Sequence, residues 1–443
     1  MLSKKRLSDP GIHDRRGNRC TASTRHFSFT TRMIIIHIMN GFLNRLAQDA
    51  LADHLAAMPA VILTGARQAG KSTLARALNP ERRYLSLDEF DVIDAAERDP
   101  ESLVRGHGPL TLDEIQRAPD LLHAVKLSID SHRKPGRFLL TGSANLLLMR
   151  RATESLAGRA SYLTLWPMTR REQRGLGSGG IWEDLLNSPE SQWAELVADT
   201  DSEREDWRTF ARRGGFPDPA VHLADERART VWFEGYMRTY LERDLLSLSS
   251  VASLPDFRRL ARAACLRLGQ PVNQTELGRD VALPQATVHR YLNLLETSYL
   301  LVRVPAYAVN RTKRLIKSPK LYWSDTGLAL HIAGLDEPGG AFLENLVLGD
   351  LLAWREARQE RCEILYWRTT AGEEVDFVVE TANELLPVEI KASGRPRLRD
   401  TVRLRSFRRE YESQSRAGLL LHDGDALEWL APDVLAVPWW RVI

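Results

Sequence analysis

Residues Gly65-Ala66-Arg67-Gln68-Ala69-Gly70-Lys71-Ser72-Thr73 have the spacing GxxxxGK[ST] and stand between an apolar strand pattern and a helix pattern, the context in which such a loop wraps a phosphate chain. Glycine at both ends lets the backbone turn its N–H groups inward, and the helix that follows presents the positive end of its dipole. In that setting Lys71 reaches the β- and γ-phosphates of ATP, and Ser72 is a ligand for Mg²⁺. Hydrolysis also needs one carboxylate for the metal and one for water, where a neighbouring strand ends beside the phosphates. Leu110-Thr-Leu112-Asp113-Glu114 supplies both, with Asp113 at the metal and Glu114 polarising the attacking water; the bland alternative is an exposed acidic turn. After the next apolar run, Ser143 or Asn145 is placed to sense the γ-phosphate, or else caps a turn. Arg159, in Leu156-Ala-Gly-Arg159, is the candidate charge-stabilising arginine, in cis or in a neighbouring copy of the chain; the alternative is a solvated side chain.

A second set of chemistry-bearing residues lies near the C-terminus. Glu374-Val-Asp376-Phe and Leu386-Pro-Val-Glu389-Ile-Lys391 read as two apolar strands of a hairpin. Residues 389 and 391 point to one face, and the hairpin brings Asp376 beside them. Charges on an otherwise buried face need a partner. A divalent cation held by Asp376 and Glu389, with Lys391 orienting a hydroxide, would satisfy that need. The D-x₁₂-E-x-K arrangement resembles the PD-(D/E)xK nuclease core, without the proline before the aspartate, the position being Val375. That resemblance implies Glu344 as a further metal-site acid on the preceding helix. Two alternatives stay open: a salt-bridged Glu389–Lys391 pair, and a nuclease fold that cuts nothing. Just beyond, Arg395 to Arg409 holds seven arginines and one acid, Asp400, a phosphate-binding candidate or a solvated helix face.

Between these sets, Asp256–Leu268, Gln274–Val281 and Gln285–Thr297 are helix patterns, with Ala282-Leu283-Pro284 as the turn between the last two. This is helix-turn-helix spacing, and Tyr299–Val304 with Lys320–Trp323 would form the wing. The third helix offers Gln285, Thr287, His289, Arg290 and Asn293 to base edges while Val288, Tyr291, Leu292 and Leu295 face inward. Arg311, Lys313, Arg314 and Lys317 are placed for phosphates. The competing reading is a protein-binding or ATPase-lid module.

The elements that must position the phosphate loop are strands at Val61–Thr64, Tyr84–Leu87, Pro109–Leu112 and Phe138–Thr141. They alternate with helices at Lys71–Leu78, Asp91–Arg98, Leu121–His132 and Ala144–Glu154. Short, unalternating apolar strands between helices indicate a parallel sheet covered on both faces. A helix precedes it within Gly41–Met58. Residues 171–205 are rich in Gly, Ser, Glu and Asp and read as a linker or variable insertion, with a helix near Trp182–Leu186; helix continues over Glu205–Leu248.

The GARQAGKST loop, LTLDEIQ, LLTGSAN, and SLAGR followed by LTLWPMT resemble the AAA-type ATPase domain of a prokaryotic family that carries a C-terminal DUF4143 module. Tyr240-Leu-Glu-Arg243-Asp244, Ser318-Pro-Lys320-Leu-Tyr with Asp325-Thr-Gly327-Leu, and Gly372-Glu-Glu-Val-Asp376-Phe resemble that module. The resemblance spans about Phe42 to Ile443. The expected fold class is α/β: a P-loop NTPase parallel-sheet domain, a helical and winged-helix segment, and a small α/β restriction-nuclease-like domain. The expected boundaries are a basic disordered extension at 1–40, the ATPase domain at 41–170, a linker and helical region at 171–250, a winged-helix-like segment at 251–330 and a nuclease-like domain at 331–443, with DUF4143 at about 205–395.

Composition narrows the partners. The chain has 443 residues, 61 Lys+Arg and 58 Asp+Glu, for a formal charge of +3. Residues 1–33 alone carry eight Lys/Arg and two acids, a net +6, which leaves −3 for the rest. A nucleic-acid surface must therefore be local. The basic tail reads as an extension or as the product of an upstream start, with Met33 or Met39 the true beginning. No apolar run approaches the ~18 residues of a membrane-crossing helix, so no membrane partner is expected. Three scattered cysteines exclude a disulfide scaffold and a zinc site, and a reduced, cytoplasmic setting follows. The expected function is an ATP-hydrolysing, Mg²⁺-dependent ATPase acting on DNA, with a homo-oligomer implied where Arg159 works in trans. The alternative is a nucleotide-dependent switch whose C-terminal module binds a protein and cuts nothing. A metabolic kinase lacks an acceptor domain.

Overall fold

The computed structural model describes residues 42–78, 82–142, 155–200, 202–244 and 253–443. Ser143, Asn145, the helix expected at Ala144–Glu154 and the extension at 1–40 lie outside the described residues. Residues Phe42–Ile443 form one compact unit.

Its first layer is a parallel sheet of β1 (Ala60–Thr64), β2 (Arg83–Ser86), β3 (Leu110–Asp113), β4 (Phe138–Thr141) and β5 (Ala160–Thr164), in the order β2-β3-β4-β1-β5. The three inner strands are buried along their whole length, which is why their sequences are apolar without alternation. Successive β1 residues serve opposite cores. Ala60 and Ile62 pack with Leu112, Leu140 and Val125, while Val61 and Leu63 pack with Leu51, Leu74 and Leu139. Strand β5 was not among the expected strands. It is an edge strand with mostly half-exposed residues, so its pattern lacks the apolar run that marks its neighbours.

The stretch expected as a linker is core. Trp182 and Trp193 within it, and Trp207 just beyond it, are buried to 1% exposure or less, on helices Trp182–Asn187, Trp193–Ala198 and Trp207–Arg213. The polar residues between them form the turns. Helix Glu226–Tyr236 continues as π-helical turns over Met237–Asp244. Helices Leu254–Leu266, Gln274–Asp280 and Gln285–Thr297 follow. Strand β6 (Leu301–Val304) then pairs antiparallel with β7 (Lys320–Trp323), and a short helix, Arg311–Ile316, sits between them. Pro271 makes an isolated antiparallel bridge to Lys320 beside this two-stranded sheet.

Helix Gly340–Ala357 leads into a six-stranded mixed sheet of β8 (Glu363–Arg368), β9 (Glu374–Glu380), β10 (Leu385–Lys391), β11 (Gly418–His422), β12 (Glu428–Ala431) and β13 (Val434–Pro438), ordered β12-β13-β11-β10-β9-β8. Strands β8, β9 and β10 are antiparallel, and β10, β11 and β13 are parallel. Leu404 and Phe407 of helix Val402–Glu410 pack on one face with Val375 and Val378. The other face joins a large core that also contains Ala66 and Ala69 of the glycine loop. The phosphate loop is thus packed against the C-terminal half of the chain.

Candidate functional site

The glycine loop leaves the carboxyl end of β1 in the shape its sequence demands. Gly65 has φ +136, and a Cβ there would lie 2.3 Å from the Leu165 carbonyl oxygen, so only glycine lets the loop pass β5's extension. Gln68 is left-handed at φ 62. Lys71 is buried, and its Nζ donates to the carbonyls of Gly65 (3.1 Å) and Ala66 (2.8 Å). Burial pulls its pKa down to about 8, with Arg67 adding to the fall and Glu114 and Asp113 opposing it. Ser72 is half-buried and Thr73 exposed at the start of the helix.

Asp113 ends β3, two strands away, because β4 lies between β3 and β1. Ser72 Oγ donates to Asp113 Oδ1 at 3.0 Å and Tyr84 OH donates to Oδ2 at 2.5 Å. Thr141, at the end of β4, donates to Oδ1 as well. Among the described residues every donor to this carboxylate is neutral. Glu114 is half-buried and left-handed at φ 57, ψ 44, and its N–H donates to Thr141 Oγ1 at 3.3 Å. Gln116 donates to its carboxylate. A left-handed non-glycine residue costs about 1 kcal/mol or more, and here it turns the Glu114 side chain away from the strand's own direction.

The C-terminal half covers this loop. Tyr236 OH donates to the Arg67 carbonyl (3.2 Å), and the Arg67 guanidinium lies 5.8 Å from the Tyr240 ring centre. Tyr299, just after helix Gln285–Thr297 and left-handed at φ 56, donates to Thr64 Oγ1 at 3.0 Å. Arg45, buried, donates to the carbonyls of Ala69 (2.8 Å) and Trp166 (2.6 Å) and pairs with Glu172 at 3.2 Å. None of these residues was singled out for this role from the sequence. Each acts on backbone or hydroxyl groups far along the chain, which no local motif encodes.

Arg159 is elsewhere. Its carbonyl accepts from the N–H of Ala60, at the start of β1, and its guanidinium pairs with Asp130 at 2.6 Å. The phosphate loop follows the other end of β1, so the strand separates the two by about 13–16 Å. Within one chain Arg159 thus lies at the end of β1 remote from the phosphate loop.

The acids near the C-terminus do converge, but on lysines. Asp376 Oδ2 accepts the N–H of Ile390 (2.9 Å), and its Oδ1 faces Lys320 Nζ at 3.4 Å. Lys320, fully buried on β7, also pairs with Glu374 at 2.6 Å. Burial disfavours its charge, yet Asp376, Glu344 and Glu374 outweigh that and push its pKa up. Glu389 Oε1 accepts from Lys391 Nζ (2.5 Å) and Arg403 (3.3 Å), while its Oε2 is buried without a partner. Glu344 accepts from Tyr322 OH at 3.1 Å. Burial first, and then the Asp376 charge, push Glu344 up to about 8 and Glu389 up to about 7. The free Glu389 oxygen alone would suit a metal. Lys320, Lys391 and Arg403 supply positive charge to Asp376 and Glu389, while burial and the Asp376 charge still hold Glu344 and Glu389 above the usual carboxylate range. Among the described residues no three His, Cys, Asp or Glu side chains form a group that could hold a metal ion. The metal assignment of Glu344, Asp376 and Glu389 does not fit this arrangement, nor does a hydroxide-orienting Lys391. Lys320 was the missing term, and its cue was a lysine opening the otherwise apolar strand Lys320-Leu-Tyr-Trp.

Two other expected surfaces also change. In the arginine run, Arg403 pairs with Glu389, Arg405 with Asp433 at 3.0 Å and Arg408 with Glu190 at 3.7 Å, so these three are engaged within the chain. Helix Gln285–Thr297 buries Val288, Tyr291, Leu292 and Leu295 as expected, and leaves Gln285, His289 and Arg290 exposed. Asp325 is structural. It caps helix Thr326–Ala333 through the Leu328 N–H (2.7 Å) and accepts the N–H groups of Gly215 (2.6 Å) and Phe216 (3.1 Å).

The strand order, the glycine loop and the Ser72–Asp113 pair define a P-loop NTPase domain. Residues 57–173 match a family described as an AAA domain, and 204–339 and 339–442 match two domains of unknown function, DUF8612 and DUF4143. The DUF4143 match thus begins well after residue 205, and DUF8612 takes the stretch before it. Uncharacterized proteins of Mycobacterium tuberculosis and Mycobacterium bovis are each 31% identical over 355 residues, 78% of this chain and 73% of theirs. An uncharacterized protein of Haemophilus influenzae is 24% identical over 362 residues, 74% of this chain and 81% of its own. A Walker-type ATPase of Pyrococcus abyssi aligns with a TM-score of 0.39 at 18% identity, over 64% of this chain and 94% of that one. The chain belongs to the AAA-type ATPases that carry a C-terminal DUF4143 domain. Among the described residues no helix is long and apolar enough to cross a membrane.

Proposed function

We propose that this protein hydrolyses ATP and uses the nucleotide cycle to reposition its C-terminal half on DNA. The observation that carries hydrolysis is the joining of Ser72, Asp113 and Glu114 beside the buried Lys71. Ser72 and Asp113 would hold Mg²⁺, which when bound offsets charge on the β- and γ-phosphates. Lys71 binds the same phosphates, and contact with them favours its charged form against the pull of burial. Glu114 orients water and accepts its proton. Tyr84 and Thr141 fix the Asp113 carboxylate for this task.

The link to the rest of the chain runs through Tyr236 and Tyr299, which hold the loop and its strand. Phosphate binding at the loop strains or relaxes those two contacts, and Tyr299 directly follows helix Gln285–Thr297. Three helices and an antiparallel β6–β7 pair have the element order of a winged helix, and Gln285, His289 and Arg290 are its exposed readers. ATP turnover in Lys71→Ala and Glu114→Gln tests the hydrolytic reading. Both should lose turnover while Glu114→Gln keeps ATP binding, and unchanged turnover in both would sink it.

A second reading, a nucleotide switch that binds a protein partner, is favoured by the ion pairs that tie Asp376 and Glu389 to Lys320, Lys391 and Arg403. It expects an ATP-dependent conformational change without salt-sensitive DNA affinity.

A further inference from the structure

We infer that the cleft between helix Arg311–Ile316 and the edge of the C-terminal sheet binds single-stranded nucleic acid, with phosphates at Lys313 and Lys317 and a base against Tyr411. This rests on the proposal that the protein acts on DNA, and names a site and a strand form for it. The cleft has a volume of about 750 Å³, within the roughly 300–1,000 Å³ of ligand sites and large enough for a nucleotide. Val309, Lys313 and Lys317 line one wall, and Glu410 and Tyr411 line the other over the buried Tyr307 and Trp367, with the Tyr411 hydroxyl donating to Glu410 at 2.6 Å.

Charge pairing marks this place, together with Arg395, Arg397 and Arg409 of the arginine run, which among the described residues also lack a carboxylate within ion-pair distance. Arg403, Arg405 and Arg408 of the arginine run are each tied to a carboxylate of the chain. The exposed side chains of Arg311, Lys313 and Lys317 have no carboxylate within ion-pair distance among the described residues. Arg314 of the same helix does the opposite. Buried, it donates to the Ala308 carbonyl at 2.7 Å and pairs with Glu380 and, at 3.2 Å, Glu363, pinning the helix to strands β8 and β9. Tyr366 OH ties the far end by donating to the Ser318 carbonyl at 2.5 Å. The helix is thus a fixed wall whose remaining cations point to no acid of their own.

The apolar content fits bases rather than phosphate alone. Val309 in the cleft is 73% exposed, and Tyr411 is half-buried against Phe407 and Tyr307 at 4.7 Å and 5.1 Å between ring centres. Cations beside aromatic and aliphatic side chains are what an unpaired strand meets, because its bases are free to stack. Paired bases in a duplex are not free to do so.

Fluorescence anisotropy on the full chain, with a labelled oligothymidylate and a labelled duplex, tests the site. Lys313→Glu/Lys317→Glu should weaken oligothymidylate binding roughly tenfold and flatten its salt dependence, with duplex affinity unchanged. Tyr411→Ala should weaken it by a similar factor and Tyr411→Phe should not. Irradiation with a 5-iodouracil oligonucleotide should place the adduct on Tyr411. Unchanged oligothymidylate affinity in the double variant, equal loss for strand and duplex, adducts only elsewhere, or binding of phosphatidylglycerol vesicles in place of oligonucleotide would each overturn the inference. Duplex binding without single-strand binding would overturn it while leaving the DNA proposal standing. No binding of either DNA would overturn both.

Discussion

Two pairs of acids in this chain look alike in sequence, and the molecule treats them differently. Asp113 and Glu114 close an apolar strand, and among the described residues their donors are neutral: the hydroxyls of Ser72, Tyr84 and Thr141 for Asp113, and the Gln116 amide for Glu114. Asp376 and Glu389 also sit on apolar strands, yet Lys320, Lys391 and Arg403 reach them directly. The first pair has no ion-pair partner within 4 Å among the described residues, and the buried Lys71 lies close enough to feel both charges. The second cluster spends its charge on the fold. What decides between a reactive site and a structural one is therefore the source of the counter-charge, which arrives from distant elements: β7 brings Lys320, and helix Val402–Glu410 brings Arg403.

Breaking each site should give different symptoms. The largest effect is expected in Lys71→Ala, where ATP turnover measured by phosphate release should fall on the order of 10²-fold or more, with little change in the unfolding midpoint. Lys320→Ala should do the reverse. It strands buried carboxylates, a loss of about 3–5 kcal/mol in urea unfolding, and a loss below ~1 kcal/mol would mean that the acids do not depend on it. Arg45→Ala sits between the two. Its buried guanidinium holds Ala69 and Glu172, so about 2–3 kcal/mol of stability and part of the ATP affinity should go together.

A smaller effect sharpens the comparison by pH. Glu344 and Glu389 are raised to about 8 and about 7 from a usual value of 4.5, so the folded chain holds protons that the unfolded chain releases. Their stabilising contribution is present below about pH 4.5 and fades as pH rises through 7 and 8. Unfolding midpoints across that window should fall more steeply in the parent than in Glu344→Gln. A flat parent profile would contradict the assigned burial. The smallest effect is expected for Arg159→Ala, which should leave turnover unchanged at dilutions where copies of the chain do not meet.

The phosphate loop and both Walker-type acids were legible because their geometry is local: a glycine spacing, a strand end and a helix start. Four strands of the first sheet were legible because buried parallel strands are uniformly apolar. Strand β5 was not, since an edge strand carries half-exposed residues such as Tyr162 and Thr164. Residues 171–205 read as a linker because their polar turns outnumber the buried tryptophans that hold them in the core. The acid hairpin was legible as a hairpin, but not as a neutralised one. Lys320 lies 56 positions from Asp376, and nothing between them announces the contact.

The comparison between the two acid sites is decided by Mn²⁺ titration of the full chain, followed by electron paramagnetic resonance with and without ATP. Mn²⁺ uptake should require ATP, should be lost in Asp113→Asn, and should be unaltered in Asp376→Asn. Stoichiometric uptake without nucleotide that disappears in Asp376→Asn would contradict this account.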